Sequence, residues 1–191
     1  MWTGIQATKI KPGLPIGIVG IGGLGQLALQ FTKALGHPTV AIDNRLEGLQ
    51  LAEEIPEPLR PQKIVDNSSP EAVEEIINFA GDGGLAAVIM CMDSVEATKW
   101  SLKLLRHHGV CNVLGLPTDE LRFNAFDLIF KELSIVGSLV SNRRMVGDMM
   151  KMVAEKGIYS RVTTLTLEEA QDLPALYMKP DLKGRLVVSM S

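Results

Sequence analysis

Short apolar runs alternate with stretches of helical spacing along most of this chain. Ile16-Gly17-Ile18-Val19 is apolar throughout, and Gln26 to Leu35 follows it with the periodicity of an amphipathic helix. Pro38-Thr39-Val40-Ala41-Ile42 is a second apolar run ending in Asp43, and Ile64-Val65-Asp66 is a short third. From Pro70 to Phe79 an early proline, acids in the first turns and apolar residues at helical spacing predict a helix, stopped by Gly81-Asp82-Gly83-Gly84. Leu85 to Cys91 is almost wholly apolar, as a strand covered on both faces should be. Ser94 is placed to cap the next helix, with Ala97, Trp100, Leu104 and Leu105 on its inner face. His107-His108 then falls at that helix's C-terminal end, where positive charge is favourable, before a strand over Gly109 to Gly115.

Beyond Pro117 the pattern loosens. Ala125 to Lys131 predicts a short helix, Leu133 to Val140 a sixth strand, and Met145 to Glu155 a helix ended by Gly157. The tail offers a strand over Val162 to Leu167, a helix from Glu168 to about Tyr177 and a last strand over Arg185 to Ser189. Strand and helix in alternation predict a parallel sheet with helices on both faces. The proline-rich loop from Ile55 to Pro61 is too short to link domains, and no repeat or low-complexity segment appears. Residues 1–191 are expected to form one domain, with a strand/helix appendage from about 160 to 191.

The junction between the first strand and the first long helix carries the candidate chemistry. It reads Gly20-Ile21-Gly22-Gly23-Leu24-Gly25. Glycines in that position let backbone approach a pyrophosphate and aim N–H groups at it from a helix N-terminus. Asp43, about 20 residues beyond the first glycines, ends the next strand, where an acid would accept hydrogen bonds from a ribose diol. A G-x-G-x-x-G string alone is weak, and a glycine turn that merely packs helix on sheet is the bland alternative. The flanking strand, helix and acid together predict dinucleotide binding on a Rossmann-type α/β fold, a doubly wound parallel six-stranded sheet. Asp43 would repel a 2′-phosphate, which favours NAD(H) over NADP(H). Arg45 qualifies this, since it could stack on adenine or soften the rejection of a phosphate.

Composition narrows the classes. The net charge is −3 with no basic stripe, so nucleic acid is not an expected partner. No apolar run reaches the roughly 18 residues of a membrane span. The N-terminus shows no basic region followed by an apolar stretch. Cys91 and Cys111 are the only cysteines, both within apolar runs, which suits a reducing, cytoplasmic compartment. They and three histidines (His37, His107, His108) show no C-x-x-C or H-E-x-x-H spacing, so no metal site is expected.

Several further strings stand in register with the glycine turn. They are Lys11-Pro12-Gly13, Ala41-Ile42-Asp43, Leu114-Gly115-Leu116-Pro117, Val136 to Arg143, and Lys183-Gly184-Arg185-Leu186-Val187-Val188. In order and spacing, from about Trp2 to Met190, the chain resembles the zinc-type alcohol dehydrogenases of the medium-chain dehydrogenase/reductase superfamily. The resemblance begins in the middle of such an enzyme. It implies the cofactor-binding C-terminal half, without the half that carries the zinc ligands and the substrate domain.

The resemblance also implies roles. Gly20, Gly22 and Gly25 match the fingerprint glycines, with Gly23 inside the turn, and Leu24 matches an apolar position behind the nicotinamide. Leu114 and Leu116 flank the loop beneath the nicotinamide, and Ser138 and Val140 fall on a second such segment. Arg185 matches an arginine that reaches the pyrophosphate, a contact suited to a guanidinium. Asn142 and Arg143 are open between the cofactor cleft and a solvated loop. The sixth strand, near Leu133 to Val140, pairs with its mate in a two-fold homodimer, which would cover an apolar edge.

The function expected is that of an NAD(H)-binding, alcohol dehydrogenase-like oxidoreductase acting on a small alcohol or carbonyl compound without catalytic zinc. Zinc normally polarises the substrate oxygen. Asp93, Ser94, Ser138 and Tyr159 are weak substitutes, none in a dyad or triad spacing, so no catalytic residue is assigned and redox activity of this chain alone is doubtful. Two alternatives stay open: a cofactor-independent isomerase or cyclase holding a hydrophobic molecule in the exposed nicotinamide cleft, and a non-catalytic NAD-binding module.

Overall fold

The structure is a computed structural model that describes residues 1–179 and 181–190. In chain order its elements are α1 (Trp2–Ala7), β1 (Ile16–Val19), α2 (Gly25–Ala34), β2 (Thr39–Asp43), α3 (Leu46–Glu53) and β3 (Lys63–Asp66). There follow α4 (Ala72–Ala80), β4 (Leu85–Met90), α5 (Val95–Ser101), β5 (Leu105–Val113), α6 (Ala125–Lys131) and β6 (Ser134–Gly137). The last are α7 (Arg143–Lys156), β7 (Val162–Leu165), α8 (Leu173–Tyr177) and β8 (Arg185–Val188).

The main sheet has six strands in the order β3-β2-β1-β4-β5-β6, all pairs parallel. The order turns back between β1 and β4, the switch point at which a doubly wound sheet opens a crevice at the carboxyl ends of its strands. One face is filled by Ile16, Ile18, Leu29, Phe31, Ala41 and Ile89, and the other by Val40, Ile42, Ile76, Val88 and Leu104. Helices thus cover both faces of a Rossmann-type fold, and β1, β2 and β4 are buried along their whole length. Their near-continuous apolar sequence follows from that double cover.

Several elements depart from the sequence expectation: the strand expected to Leu167 ends at Leu165, and the helix expected from Glu168 is a 3-10 turn to Asp172 before α8. The helix capped by Ser94, whose hydroxyl accepts the Ala97 N–H at 3.1 Å, ends at Ser101 and tightens into a 3-10 turn over Leu102–Leu104. Leu105 already belongs to β5. His107-His108 therefore stands in β5, in a bulge where the pairing jumps from Leu85↔Leu105 to Ala87↔Val110, and not at a helix end. His108 takes positive φ and meets Glu132 at 3.0 Å. The expected sixth strand is also shorter: pairing with β5 runs from Ser134 to Gly137 only, leaving Ser138, Leu139 and Val140 outside the ladder.

The C-terminal appendage is stitched to the sheet domain by two buried glutamines of α2. Gln26 accepts the Arg161 N–H at 2.7 Å and donates to Ser160 Oγ at 3.2 Å. Gln30 accepts the Tyr159 N–H at 3.1 Å and donates to the Tyr159 carbonyl at 2.8 Å. Each amide thus serves the backbone as a neighbouring strand would. The segment they hold leads into β7, which pairs in parallel with β8. At Gly184 φ is +74°, and a Cβ would overlap the Arg161 carbonyl, so only glycine admits this close crossing.

Candidate dinucleotide site

The turn between β1 and α2 is built around an approach that side chains would prevent. A Cβ on Gly25 would overlap the Gly20 carbonyl oxygen. At Gly22, by contrast, the nearest atom to a Cβ would be Arg45 Nη2 at 3.9 Å, so this backbone faces open space. The Leu24 N-cap supplies no side-chain cap, and within the first turn of α2 the Gln26 N–H is bonded to the Gly22 carbonyl and the Leu27 N–H to the Leu24 carbonyl, both at 3.1 Å. A helix start of this kind favours an anion through its dipole.

The space is a cavity of about 700 Å³. Gly20, Gly22, Gly23 and Leu24 line it from the turn, Asp43 and Arg45 from the end of β2, and Arg185 from the start of β8. Three segments distant in sequence therefore meet at one place. Arg185 reaches the turn itself, where its Nε donates to the Gly23 carbonyl at 3.2 Å. Met92, Asp93, Tyr177 and Lys179 also line it. Tyr177 and Lys179 carry no motif that would have marked them, since they arrive with the helix that precedes β8.

Asp43 is buried, yet its carboxylate has four donors around it. Oδ2 accepts the Ile21 N–H at 2.6 Å and Arg45 Nη2 at 3.1 Å. Oδ1 accepts the Arg45 N–H at 2.9 Å and Arg45 Nε at 3.2 Å. Gly48 of α3 makes room for it, since a Cβ there would overlap Oδ2. A second cavity of about 250 Å³ shares Asp43 and is lined by Asn44, Asn67, Ser94 and Trp100.

The remaining residues singled out from sequence lie outside the main cavity. Gly25 is buried under the turn it closes. Leu114 packs on the core, and its N–H is bonded to the Met90 carbonyl at 3.1 Å. Leu116 and Val140 are exposed, and Ser138 makes a 3.5 Å contact with the Leu139 carbonyl. All four follow the carboxyl ends of β5 and β6, the same edge of the sheet at which the cavity opens. Asn142 caps α7 by accepting the Met145 N–H at 2.9 Å. Tyr159 lines a separate cavity with Gln26 and Gln30.

The donor set does not suit zinc. Among the described residues no three His, Cys, Asp or Glu side chains converge. Burial pushes the Cys91 thiol up to about 12 and that of Cys111 to about 11, which keeps both protonated and poor as ligands. His37 is buried with Nδ1 on the Leu14 carbonyl at 3.0 Å. The described residues also contain no helix long and apolar enough to cross a membrane.

Comparison with known proteins agrees with this geometry. The chain is 30% identical over 186 residues to an alcohol dehydrogenase of Geobacillus stearothermophilus, covering 97% of this chain and 53% of that protein. It is 27% identical over 191 residues to an alcohol dehydrogenase of Rhizobium meliloti, covering all of this chain and 54% of the relative. The crystal structure of the alcohol dehydrogenase from the archaeon Aeropyrum pernix superposes with a TM-score of 0.84 at 27% identity, over 98% of this chain and 54% of that one. The chain thus spans about half the length of the relatives it matches. The sequence profile of the zinc-binding dehydrogenases matches residues 23–155, more than half of the chain. The chain belongs to the zinc-binding dehydrogenase family of medium-chain oxidoreductases, of which it corresponds to the cofactor-binding half.

Proposed function

We propose that this chain binds NAD(H) and serves an oxidoreductase acting on an alcohol or carbonyl group of a small molecule. One observation supports the reading above the others: the glycine turn, Asp43 and Arg185 converge on a single cavity at the switch point of the sheet. The head of α2 and Arg185 hold the pyrophosphate there, and Asp43 lies where the adenosine ribose reaches. Leu114, Leu116, Ser138 and Val140 belong to the nicotinamide end, since they follow the carboxyl ends of β5 and β6. Once bound, the nicotinamide supplies hydride transfer, while the protein contributes binding and orientation.

Reduction of a carbonyl also needs a group that polarises its oxygen. Of Asp93, Ser94, Ser138 and Tyr159, Asp93 lines the main cavity. We therefore read the chain by itself as a cofactor binder and a poor alcohol dehydrogenase, with the polarising group supplied from outside these residues. The chain is read as a cytoplasmic protein whose cysteines stay reduced. It forms a two-fold dimer through β6, an edge strand beside which Phe126, Ile129 and Phe130 of α6 are exposed.

Titration of the protein with NADH, followed by nicotinamide fluorescence, tests the reading. Saturable binding lost in Gly22→Asp is the expected result. That substitution puts a carboxylate into the open space where phosphate would lie. Absence of binding at millimolar NADH would refute it and leave the turn as a scaffold for packing.

A further inference from the structure

The cavity beside the stitch shares no lining residue with the dinucleotide cavity. It has a volume of about 210 Å³ and lies between α2, the end of α3 and residues 159–161. Leu51 and Ile55, both buried, give it apolar surface. An apolar cavity of about 150 Å³ holds a benzene ring, so this one has room for a ring with one small substituent. The polar groups around it divide into those already engaged and those free. Gln30 Nε2 donates to the Gln26 carbonyl at 3.1 Å and to the Tyr159 carbonyl at 2.8 Å, which uses both of its hydrogens. Gln26 Nε2 is likewise turned to Ser160 Oγ at 3.2 Å and the Arg161 carbonyl at 3.4 Å. Glu54 is held by Lys183 Nζ at 2.7 Å. That hydrogen bond first, against a smaller opposing effect of burial, and then the charges of Lys183 and Arg161 keep its carboxyl below the ordinary 4.5. Glu54 is therefore the ionised partner of Lys183. The Tyr159 hydroxyl and the Arg161 guanidinium, by contrast, make no hydrogen bond or ion pair among the described residues. Two cations thus meet one carboxylate here, and the unmatched charge is that of Arg161.

We propose that this cavity is a second binding site, for a small organic carboxylate with a ring-sized apolar body: Arg161 and Tyr159 hold the carboxylate, and Leu51 and Ile55 receive the ring. The proposal stands apart from the dinucleotide reading. A planar guanidinium matches a carboxylate in two-point fashion, and the phenol adds a third donor. The engaged amides of Gln26 and Gln30 leave the body of the ligand no strong donor to satisfy, which suits an apolar one. The site is also composite. Its apolar surface comes from the sheet domain, and its free polar groups come from the segment that leads into β7. The ligand therefore binds only the docked appendage and stabilises that docking by mass action.

Titration of the full chain with benzoate, followed by backbone amide shifts in NMR spectra, tests this. The shifts should saturate at millimolar benzoate and centre on Gln26, Gln30 and residues 159–161, and hydrogen exchange at 158–161 should slow severalfold. Arg161→Gln removes the guanidinium but keeps the backbone N–H and carbonyl that meet Gln26, so the stitch survives. Benzoate should bind this variant more weakly by about tenfold or more, the size of a lost charge-assisted contact. Benzyl alcohol, which has the ring without the charge, should bind the parent protein more weakly than benzoate by a similar factor. Glu54→Gln, which removes the opposing carboxylate, should tighten benzoate severalfold. Tyr159→Phe should weaken it severalfold and provides the readout if Arg161→Gln fails to fold by circular dichroism. Equal binding of benzoate and benzyl alcohol, or a benzoate affinity unmoved by Arg161→Gln and by Tyr159→Phe, would overturn the proposal. So would shifts confined to residues 20–25, which would place benzoate in the main cavity, or an absence of saturation. Each of these results leaves the dinucleotide reading standing.

Discussion

Strands β1, β2 and β4 have no exposed residue, whereas α6, α7 and α8 bury none. The first group lies in a sheet covered on both faces by its own chain. The second belongs to the stretch beyond Pro117, where Ile129, Phe130, Leu139 and Val140 stand in solvent. Patches of that kind mark surfaces that meet other protein or ligand. One chain thus contains strands whose apolar side chains it covers itself and helices that leave several of theirs exposed. The same division separates the glycine turn, set at the end of β1, from Ser138 and Val140 beyond β6.

Several experiments bear on this contrast. Truncation is the most direct. Ile18→Ala, at a fully buried site in β1, should lower stability by about 3 kcal/mol. The matching Ile129→Ala in α6 should change it by less than about 0.5 kcal/mol in a monomer, read from urea midpoints. Equal losses would abolish the distinction between the two regions. Next in size is the stitch between them. Gln30→Ala leaves the Tyr159 N–H and carbonyl without their partner amide and should cost about 2 kcal/mol. Hydrogen exchange should quicken around residues 158–161 while β1 and β4 stay protected, and acceleration across the whole sheet would show that the two halves melt as one.

The edge at β6 supplies a third experiment. If a second copy covers it, stability should fall by about 1.4 kcal/mol for each tenfold dilution. Ile129→Asp should remove that dependence and halve the mass seen by sedimentation. A mass of one chain for the parent protein at all concentrations would exclude the dimer.

The smallest effect concerns pH. Burial holds the His37 imidazole below its ordinary 6.5, outweighing the bond to the Leu14 carbonyl that acts the other way. The unfolded chain therefore takes up this proton first as pH falls. The stability due to the neutral imidazole is full above 6.5 and is lost as pH drops through the lower folded value. His37→Gln, which keeps a donor for Leu14, should flatten that part of the profile. An unchanged slope would assign it to other groups.

The contrast also explains which features could be read from the sequence. Double burial writes itself as unbroken apolar runs, so β1, β2 and β4 stood out, and the glycine turn was marked by its own chemistry. The Ser94 cap and the short helix over Ala125 to Lys131 were equally plain. The stitch was hidden because Gln26 and Gln30 sit within an amphipathic helix, where a polar residue reads as a solvated position, although both are buried here. The bulge at His107-His108 depends on the register between β4 and β5, which no local pattern encodes. α1, six residues long, is too short to show a period and is held by Trp2 against Phe31, ring centroids 5.5 Å apart. The chelation of Asp43 by Arg45 likewise required side-chain directions, since the two residues alone leave several roles open.

The reach of Arg185 to the Gly23 carbonyl has a consequence in time. The two residues are 162 positions apart. At about 5–20 residues per second, roughly ten to thirty seconds of synthesis separate their emergence from the ribosome. During that interval the turn, α2 and β2 can assemble, but the cavity lacks the wall that comes with β8. A ligand of this cavity therefore cannot draw the nascent chain toward its native state by mass action early on. Any stabilisation by ligand arrives only after the tail has docked, which makes the last few dozen residues the window in which a vacant chain is most open to proteolysis.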